Sequence, residues 1–174
     1  ADNRDLPNPP YGRTELYESF ADLKMRFTGD IKEADMVVVG SYVPEGVEIG
    51  KWVTSTACGL AAFYDIDTPV TLAKLDNRDE EYISQDLIPL YDLYLSFTGD
   101  RVLERLEKQY KSPAARALYC SFDPDIYFPE NQPEKWDLGY LGTYSTDRQP
   151  TLERLILEPA RTWTDGRFAA AGPQ

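Results

Sequence analysis

Short apolar runs of strand length, each ending at a polar turn, recur along this chain and limit its fold more than any other feature. The runs are MVVVGSYV from Met36, LAAFY from Leu60, LYLSF from Leu93 and ALYC from Ala117. Continuous rather than alternating hydrophobicity is typical of parallel strands that are covered on both faces. We predict helices before the first run, at 20–34, and between later runs, at 45–55 and 101–110. We therefore predict an α/β, Rossmann-like fold, in which a mostly parallel sheet carries helices on both faces.

The composition changes at residues 123–134, which indicates a boundary between two domains. The segment DPDIYFPENQPE contains three prolines and four carboxylates, and it has no periodic apolar pattern. These features are typical of a linker. After it we predict a strand at 136–141, a helix that Thr146 and Gln149 begin as a capping box, and a strand at 168–171. We assign 1–130 to an N-terminal Rossmann-like domain and 131–174 to a linker with the first βαβ unit of a second domain.

The charged residues and the missing histidine exclude several classes of function. Lys and Arg number 18 against 30 Asp and Glu, which gives a net charge of −12. A nucleic-acid-binding protein needs a basic face, so we expect no nucleic acid as partner. The absence of histidine excludes Ser-His-Asp and Cys-His catalysis and His-ligated zinc. Any catalysis must therefore use carboxylates, hydroxyls, backbone dipoles, lysine or arginine.

The two cysteines and the hydropathy suggest where the protein resides. Cys58 and Cys120 lie in apolar runs, and we expect them to be buried, reduced thiols. No apolar stretch approaches the ~20 residues of a membrane-spanning helix. No signal peptide is recognisable at the start of the sequence. We expect a cytoplasmic protein without a transmembrane segment.

Polar residues at the predicted strand ends are the candidates for a site, because ligands of doubly wound sheets bind beyond the carboxyl ends of the strands. In the first domain these candidates are Ser41, Tyr42, Asp65, Asp67, Thr68, Thr98 and Gly99. In the second unit, Gly142, Thr143 and Tyr144 follow a strand, and Arg148 follows closely. The backbone N–H groups of that turn and the guanidinium could bind a phosphate. An ordinary turn with a solvated arginine explains the same residues.

Asp65 and Asp67 allow three interpretations. On an extended backbone both carboxylates face the same way. They could bind Mg²⁺ or Mn²⁺, or one could be a general base whose pKa the other raises. Alternatively, Asp67 or Thr68 caps the helix that follows Pro69. The pattern FYDIDTPVT also resembles the signature of haloacid-dehalogenase phosphatases, with Asp65 as nucleophile, Asp67 as acid and Mg²⁺ as cofactor.

Longer segments resemble one enzyme family. FYDIDTPVTLAKL, ALYCSFDPDIYFPE, DLGYLGTYSTDRQPTLERLILEPAR and RFAAAGPQ together resemble the CgeB-like (spore-maturation type) glycosyltransferases of the GT-B fold. The resemblance implies transfer of a sugar from a nucleotide-sugar donor to an unknown acceptor, with no metal or separate cofactor. It also implies a fragment truncated at both ends, which lacks the first strand and most of the donor-binding domain. We expect such a fragment to be inactive by itself and to self-associate through the surface that truncation exposes.

The resemblance also implies roles for the candidate residues. Asp67 would be the general base for the acceptor hydroxyl, with Asp65 buried beside it, because glycosyl transfer passes through an oxocarbenium-like centre. Ser41, Tyr42, Thr68, Thr98 and Gly99 would line the acceptor cleft, and Gly142, Thr143, Tyr144 and Arg148 would bind the donor. One departure is Gly99-Asp100, where the family usually has two glycines. A Mg²⁺-dependent phosphatase and a non-catalytic Rossmann-like binding module remain the alternative functions.

Overall fold

The computed structural model describes residues 9–146 and 148–172, and it divides into two compact units. The first unit is Ala1–Ser121 and the second is Phe122–Gln174. The division falls just before the proline-rich segment 123–134, whereas our assignment from the sequence divides the chain after residue 130, within that segment. The last two residues of RFAAAGPQ lie outside the described residues.

The first unit alternates helices and strands as the sequence predicts. Its elements are α1 (Phe20–Glu33), β1 (Met36–Gly40), α2 (Gly46–Thr56), β2 (Leu60–Asp65), α3 (Thr68–Asp76), β3 (Leu93–Ser96), α4 (Arg101–Lys108) and β4 (Ala115–Ala117). All neighbouring strands are parallel, in the order β1-β2-β3-β4. The α/β, Rossmann-like fold with a parallel sheet flanked by helices is therefore confirmed.

The core of this unit forms between the sheet and its helices. Val39, Phe63, Tyr94 and Ala115 are aligned in register across the four strands, and all are buried. Ile49 and Val53 of α2, Leu72 and Leu75 of α3, and Leu106 of α4 belong to the same buried cluster. Burial of this apolar surface is the main favourable contribution to folding. The cluster holds the carboxyl ends of neighbouring strands close together.

Two sequence-based expectations about burial are wrong. Met36 and Val38 of β1 are 42% and 49% exposed, although the continuous apolar run predicts cover on both faces of the strand. β1 is an edge strand of the described sheet, and the helices pack on the side of Val39. Cys58 and Cys120 are exposed free thiols rather than buried ones, because each lies beyond the end of a helix or strand.

Strand β4 lies two residues before its predicted position. We predicted it at 117–120, but it occupies Ala115–Ala117. Ala115 fixes this register, because it is buried opposite Tyr94. Leu118 and Tyr119 are instead exposed, beyond the end of the strand.

The second unit is a small βαβ arrangement. Strands β5 (Leu138–Leu141) and β6 (Phe168–Ala171) are parallel, and α5 (Gln149–Leu152), a π-helical turn (Glu153–Leu157) and α6 (Glu158–Thr162) connect them. Pro159 explains the π-helical turn, because proline cannot donate to the carbonyl four residues earlier and its ring clashes there.

An ion pair lies at the start of β6. The Arg167 guanidinium donates hydrogen bonds to Asp137 and lowers the pKa of that carboxyl to about 2.

The predicted capping box is wrong. Helix α5 begins at Gln149 with Arg148 in the cap position, and among the described residues no side chain caps it. The main-chain oxygen of Arg148 accepts hydrogen bonds from Thr151 and Leu152. Pro150 favours this later start, because its fixed φ and missing N–H suit the first turn of a helix.

Asp100 occupies a backbone conformation that favours glycine. Its φ is 56° and its ψ is −130°, in a region that L side chains rarely adopt. Its side chain makes no cap bond to α4, although the residue lies in the N-cap position. Asp100 therefore introduces backbone strain without a compensating cap.

We expect Asp100→Gly to stabilise the chain by about 1 kcal/mol, because relief of strain exceeds the entropy that glycine adds to the unfolded state. Urea unfolding followed by circular dichroism measures the change. Asp100→Ala is the control, because it removes the carboxylate but keeps the strained φ, so it should give no gain. Equal stabilisation by both variants would show that the charge, not the backbone, is responsible.

Candidate active site at the strand ends

The carboxyl ends of β1, β2 and β3 bring most of the predicted acceptor-side residues together. The Ser41 hydroxyl accepts a hydrogen bond from the Ile66 amide at 3.1 Å, which ties the β1 turn to the β2 turn. The Tyr42 hydroxyl donates to Asp67 Oδ2 at 2.9 Å. The Thr68 hydroxyl lies 2.8 Å from that of Ser96, at the end of β3. The turns that the sequence grouped by topology are thus in direct contact.

Asp65 is the buried anchor of this cluster. The residue has 0% exposure, so its carboxylate is enclosed by the protein. Oδ1 accepts from the Asp67 amide and the Thr71 hydroxyl, both at 3.0 Å, and Oδ2 accepts from the Tyr94 hydroxyl at 2.6 Å. Burial raises the pKa of Asp65, and these hydrogen bonds oppose the rise. The pKa of Asp65 is therefore raised by burial and not by repulsion from a second carboxylate.

The burial of Asp65 argues against the phosphatase interpretation. A nucleophilic carboxylate must reach phosphorus with a free oxygen. Both oxygens of Asp65 accept hydrogen bonds from buried groups, and the side chain has no access to solvent. In this conformation Asp65 fixes the turn between β2 and α3 and cannot contact a substrate.

Asp67 differs from Asp65 in its access to solvent. The residue is half-buried and occupies the N-cap position of α3, but its side chain makes no cap bond. Its main-chain oxygen accepts from Val70 and Thr71, while Oδ2 accepts from Tyr42. Within the described part of the chain, Oδ1 has no hydrogen-bond partner. The predicted side-chain cap is therefore wrong, and one carboxylate oxygen stays free at the strand ends.

Tyr42 and Tyr82 connect the two aspartates. The Tyr82 hydroxyl lies 2.6 Å from that of Thr71, which also donates to Asp65. The rings of Tyr82 and Tyr42 lie 4.8 Å apart between centroids. Tyr42 has a φ of 64°, in the left-handed region, and burial together with the hydrogen bond to Asp67 raises the pKa of its hydroxyl. A continuous chain of contacts thus leads from the buried carboxylate to the accessible one.

Three hydroxyls form a second group beside the aspartates. The Ser96 hydroxyl lies 3.0 Å from that of Thr98 and accepts from the Thr98 amide at 3.1 Å. Thr68 and Ser96 have 0% exposure, so they support the site from inside. Thr98 and Gly99 are only half-buried and can contact a ligand.

Sequence reasoning missed three members of the cluster. Thr71 follows Asp67 by four residues in α3, so helical spacing could have identified it. Tyr94 is in register with Phe63 in the neighbouring strand. A parallel alignment of the two predicted strands could therefore have indicated that Tyr94 lies near the end of β2. Tyr82 lies in the loop between α3 and β3, where no periodic pattern predicts its position.

The predicted donor-side residues line two cavities in the second unit. Gly142, Thr143 and Tyr144 line one cavity of about 270 Å³, together with Leu152 and Ile156. Arg148 instead lines a cavity of about 420 Å³, and Tyr140, Leu152 and Ile156 line both. The walls are mainly apolar and aromatic. The Gly142 amide donates to Ala171 at 3.0 Å, so this N–H is not free for a phosphate.

The fold and these cavities define an α/β protein with a candidate site at the carboxyl ends of its strands. No family model, curated protein or solved structure matches this chain. Among residues 9–146 and 148–172, no group of three or more acidic, cysteine or histidine residues could hold a metal ion. None of the helices in those residues has the length and apolar character to cross a bilayer.

Replacement of Asp65 by Asn tests the effect of burial on this carboxylate. Because burial raises its pKa in the fold above the unfolded value, folding favours the protonated acid. The contribution of Asp65 to stability is therefore largest below the unfolded pKa of about 3.9 and falls as pH rises to the folded pKa. As the pH rises across that window, we expect the free energy of unfolding of the wild type to fall relative to that of Asp65→Asn. Above the window the difference between the two free energies should be constant.

Urea unfolding between pH 3 and 8 measures this difference, which changes by at most about 1.4 kcal/mol for each pH unit inside that window. The matched control is Asp86→Asn, because Asp86 is exposed in the same unit and its replacement removes the same charge. A wild type that loses stability relative to Asp65→Asn as the pH falls below 4 would contradict the sign that we derive.

Proposed function

We propose that this chain is part of a glycosyltransferase that transfers a sugar from a nucleotide-sugar donor to an acceptor hydroxyl. The observation that carries the proposal is Oδ1 of Asp67, which has no hydrogen-bond partner among the described residues and lies next to a hydrogen-bonded Oδ2 at the carboxyl ends of three parallel strands. The sequence resemblance to CgeB-like glycosyltransferases supports the same assignment. No metal ion or separate cofactor forms part of the proposal.

In this proposal Asp67 is the general base. The acceptor hydroxyl gives its proton to Oδ1 as its oxygen attacks the anomeric carbon of the donor. The bond between that carbon and the diphosphate breaks, and the nucleoside diphosphate leaves with the bonding electron pair. The Tyr42 hydroxyl holds Oδ2 and keeps the carboxylate in one orientation. Without histidine in the chain, a carboxylate is the most suitable base.

The acceptor would contact the accessible rim of the strand-end cluster. Tyr42 is 45% exposed, and Thr98 and Gly99 are half-buried, so these residues can contact a sugar or another hydroxylated acceptor. Thr68 has 0% exposure and would position its neighbours rather than contact the acceptor. Ser41 contributes by fixing the β1 and β2 turns against each other.

The donor would bind the second unit. The exposed ring of Tyr144 and the half-buried ring of Tyr140 offer stacking surfaces for a nucleobase beside Leu152 and Ile156. Arg148 would contact the diphosphate. The chain has a net charge of −12 and therefore offers no general attraction for such a ligand, so these local contacts would have to supply the affinity.

A cytoplasmic location belongs to the same proposal. Cys58 and Cys120 are exposed free thiols. Exposed unpaired cysteines are better suited to a reducing compartment than to an oxidising one.

We expect Tyr144→Ala to weaken donor binding about tenfold, because one base–ring stack is lost. Calorimetric titration with UDP-glucose, GDP-mannose and the free diphosphates UDP and GDP identifies the nucleotide and measures its affinity. Tyr127→Ala is the control, since Tyr127 is 67% exposed in the same unit, against 68% for Tyr144, and lines neither cavity. Equal loss in both variants, or no binding of any nucleotide, would contradict the donor assignment.

We expect Asp67→Asn to reduce sugar transfer about 10²- to 10⁴-fold while leaving donor affinity unchanged, because only proton transfer is lost. Release of nucleoside diphosphate by the protein from the complete reading frame, with a mixture of sugar acceptors, measures turnover. Asp86→Asn is the charge-matched control. Unchanged turnover in Asp67→Asn would exclude this residue as the base, whereas donor binding without turnover in the wild type would indicate a binding module.

A further inference from the structure

Three hydroxyl groups connect the buried carboxylate of Asp65 to the accessible one of Asp67. The Thr71 hydroxyl donates to Asp65 Oδ1 at 3.0 Å and lies 2.6 Å from the Tyr82 hydroxyl. The side chains of Tyr82 and Tyr42 are hydrogen-bonded in turn, and the Tyr42 hydroxyl donates to Asp67 Oδ2 at 2.9 Å. Each hydroxyl has one proton to donate. The direction of every bond in this hydroxyl chain therefore depends on the protonation of the carboxyl groups at its ends.

When Asp65 is ionised, the bonds of the hydroxyl chain run toward the interior. A carboxylate only accepts, so Thr71 gives its proton to Asp65 and receives the proton of Tyr82. Tyr82 then has no proton left to donate to Tyr42. The single proton of Tyr42 must therefore serve two acceptors, the Tyr82 oxygen and Asp67 Oδ2. In this state Asp67 receives a divided hydrogen bond.

Tyr94 determines which oxygen of Asp65 carries a proton. The Tyr94 hydroxyl donates to Oδ2 at 2.6 Å, and it has no other hydrogen-bond acceptor within residues 9–146 and 148–172. A proton on Oδ2 would leave this buried hydroxyl without an acceptor, which is costly. The proton therefore belongs on Oδ1, where the Thr71 hydroxyl can accept it. Because burial raises the pKa of Asp65, the protonated state persists above the ordinary range of a carboxyl group.

When Asp65 is protonated, the bonds of the hydroxyl chain reverse. Asp65 donates to Thr71, and Thr71 donates to Tyr82, since their contact of 2.6 Å is shorter than the 3.4 Å to the Asp67 carbonyl. Tyr82 then donates to Tyr42, whose oxygen is the remaining acceptor. Tyr42 gives its whole proton to Asp67 Oδ2. In this state Asp67 receives an undivided hydrogen bond.

Other titratable groups act on the hydroxyl chain or on its neighbours. In the described structure these are Lys74, Asp79, Glu81, Tyr94 and Tyr110. The two tyrosines stay neutral from pH 3 to 8, because burial raises their pKa values. Lys74 lies 5.9 Å from the centroid of the Tyr82 ring and stays charged, because its hydrogen bond to Glu81 raises its pKa. Asp79 and Glu81 are therefore the neighbouring carboxylates that a test has to separate from Asp65.

We propose that Tyr82 is a positioning residue, which transmits the protonation state of Asp65 to Asp67 by changing how Tyr42 donates its proton. Asp67 is the stronger base when Asp65 is ionised, because a divided hydrogen bond stabilises its anion less. It is the weaker base when Asp65 is protonated. The effect on sugar transfer rests on the proposed function, whereas the reversal of the hydroxyls does not.

The test follows the ring carbon that bears the Tyr42 hydroxyl by carbon NMR of the whole chain between pH 3 and 8. The carboxyl carbon of Asp65 is measured in the same samples. In the wild type we expect the Tyr42 signal to shift at the titration midpoint of Asp65. Tyr82→Phe should abolish this shift while Asp65 still titrates, because the ring remains and the connecting hydroxyl is lost. Tyr91→Phe is the matched control, since the buried Tyr91 hydroxyl has no hydrogen-bond partner in the described structure, and the shift should persist.

A Tyr42 signal that does not shift in the wild type, or that still shifts in Tyr82→Phe, would overturn the proposal. A shift that Asp79→Asn or Glu81→Gln abolishes would also overturn it, because another carboxylate would then be the source.

Kinetics of the protein from the complete reading frame measure the effect on sugar transfer. We expect Tyr82→Phe to lower kcat about threefold and to leave donor affinity unchanged, because Tyr42 then gives its whole proton to Asp67 at every pH. A Tyr42 shift that depends on Tyr82, in a protein without transferase activity, would support the coupling and contradict the proposed function instead.

Discussion

The arrangement of the strand ends depends on the hydrogen bonds that fix the buried carboxylate of Asp65. Tyr94 on β3, Thr71 on α3 and the Asp67 amide bring donors to its two oxygens from three directions. A buried carboxylate with fewer partners would cost several kcal/mol, because desolvation would not be offset. These bonds therefore lock β2, β3 and α3 together at the end of the sheet. They also set the path of the turn that presents Asp67.

The hydroxyl side chains near these strand ends differ in their access to solvent. Thr68 and Ser96 are completely buried, whereas Thr98 lies at the half-buried rim. The sequence presents them as equivalent hydroxyls near strand ends. Their different exposure follows from their places in the fold: Thr68 begins α3 and Ser96 ends β3, where the two hydroxyls are in contact, whereas Thr98 lies beyond the end of β3. Only the rim residues can contact an acceptor in the function that we propose.

Much of the fold could be predicted from the sequence, because apolar runs of strand length and helical spacing are local patterns. The bounds of β1, β2 and α1 agree with the predicted ones to within a few residues. The pattern also placed both aspartates at the end of β2. It could not identify Tyr82, which reaches Thr71 from a loop without periodicity. It also gave the wrong burial for Cys58 and Cys120, since apolar neighbours in the chain do not imply apolar neighbours in space.

By itself, the sequence determined the class of fold, the acidic character and the absence of imidazole chemistry, because composition and local periodicity are sufficient for these properties. The tertiary structure decided which aspartate is accessible. Asp65 and Asp67 are two residues apart in a polar turn, yet Asp65 is enclosed by Tyr94 and Thr71, while Oδ1 of Asp67 has no hydrogen-bond partner in the part of the chain that the structure describes. That difference arises from groups far away in sequence, whose positions depend on the packing of the sheet against its helices. The edge position of β1 in the described sheet is likewise a property of strand order, which no local pattern encodes.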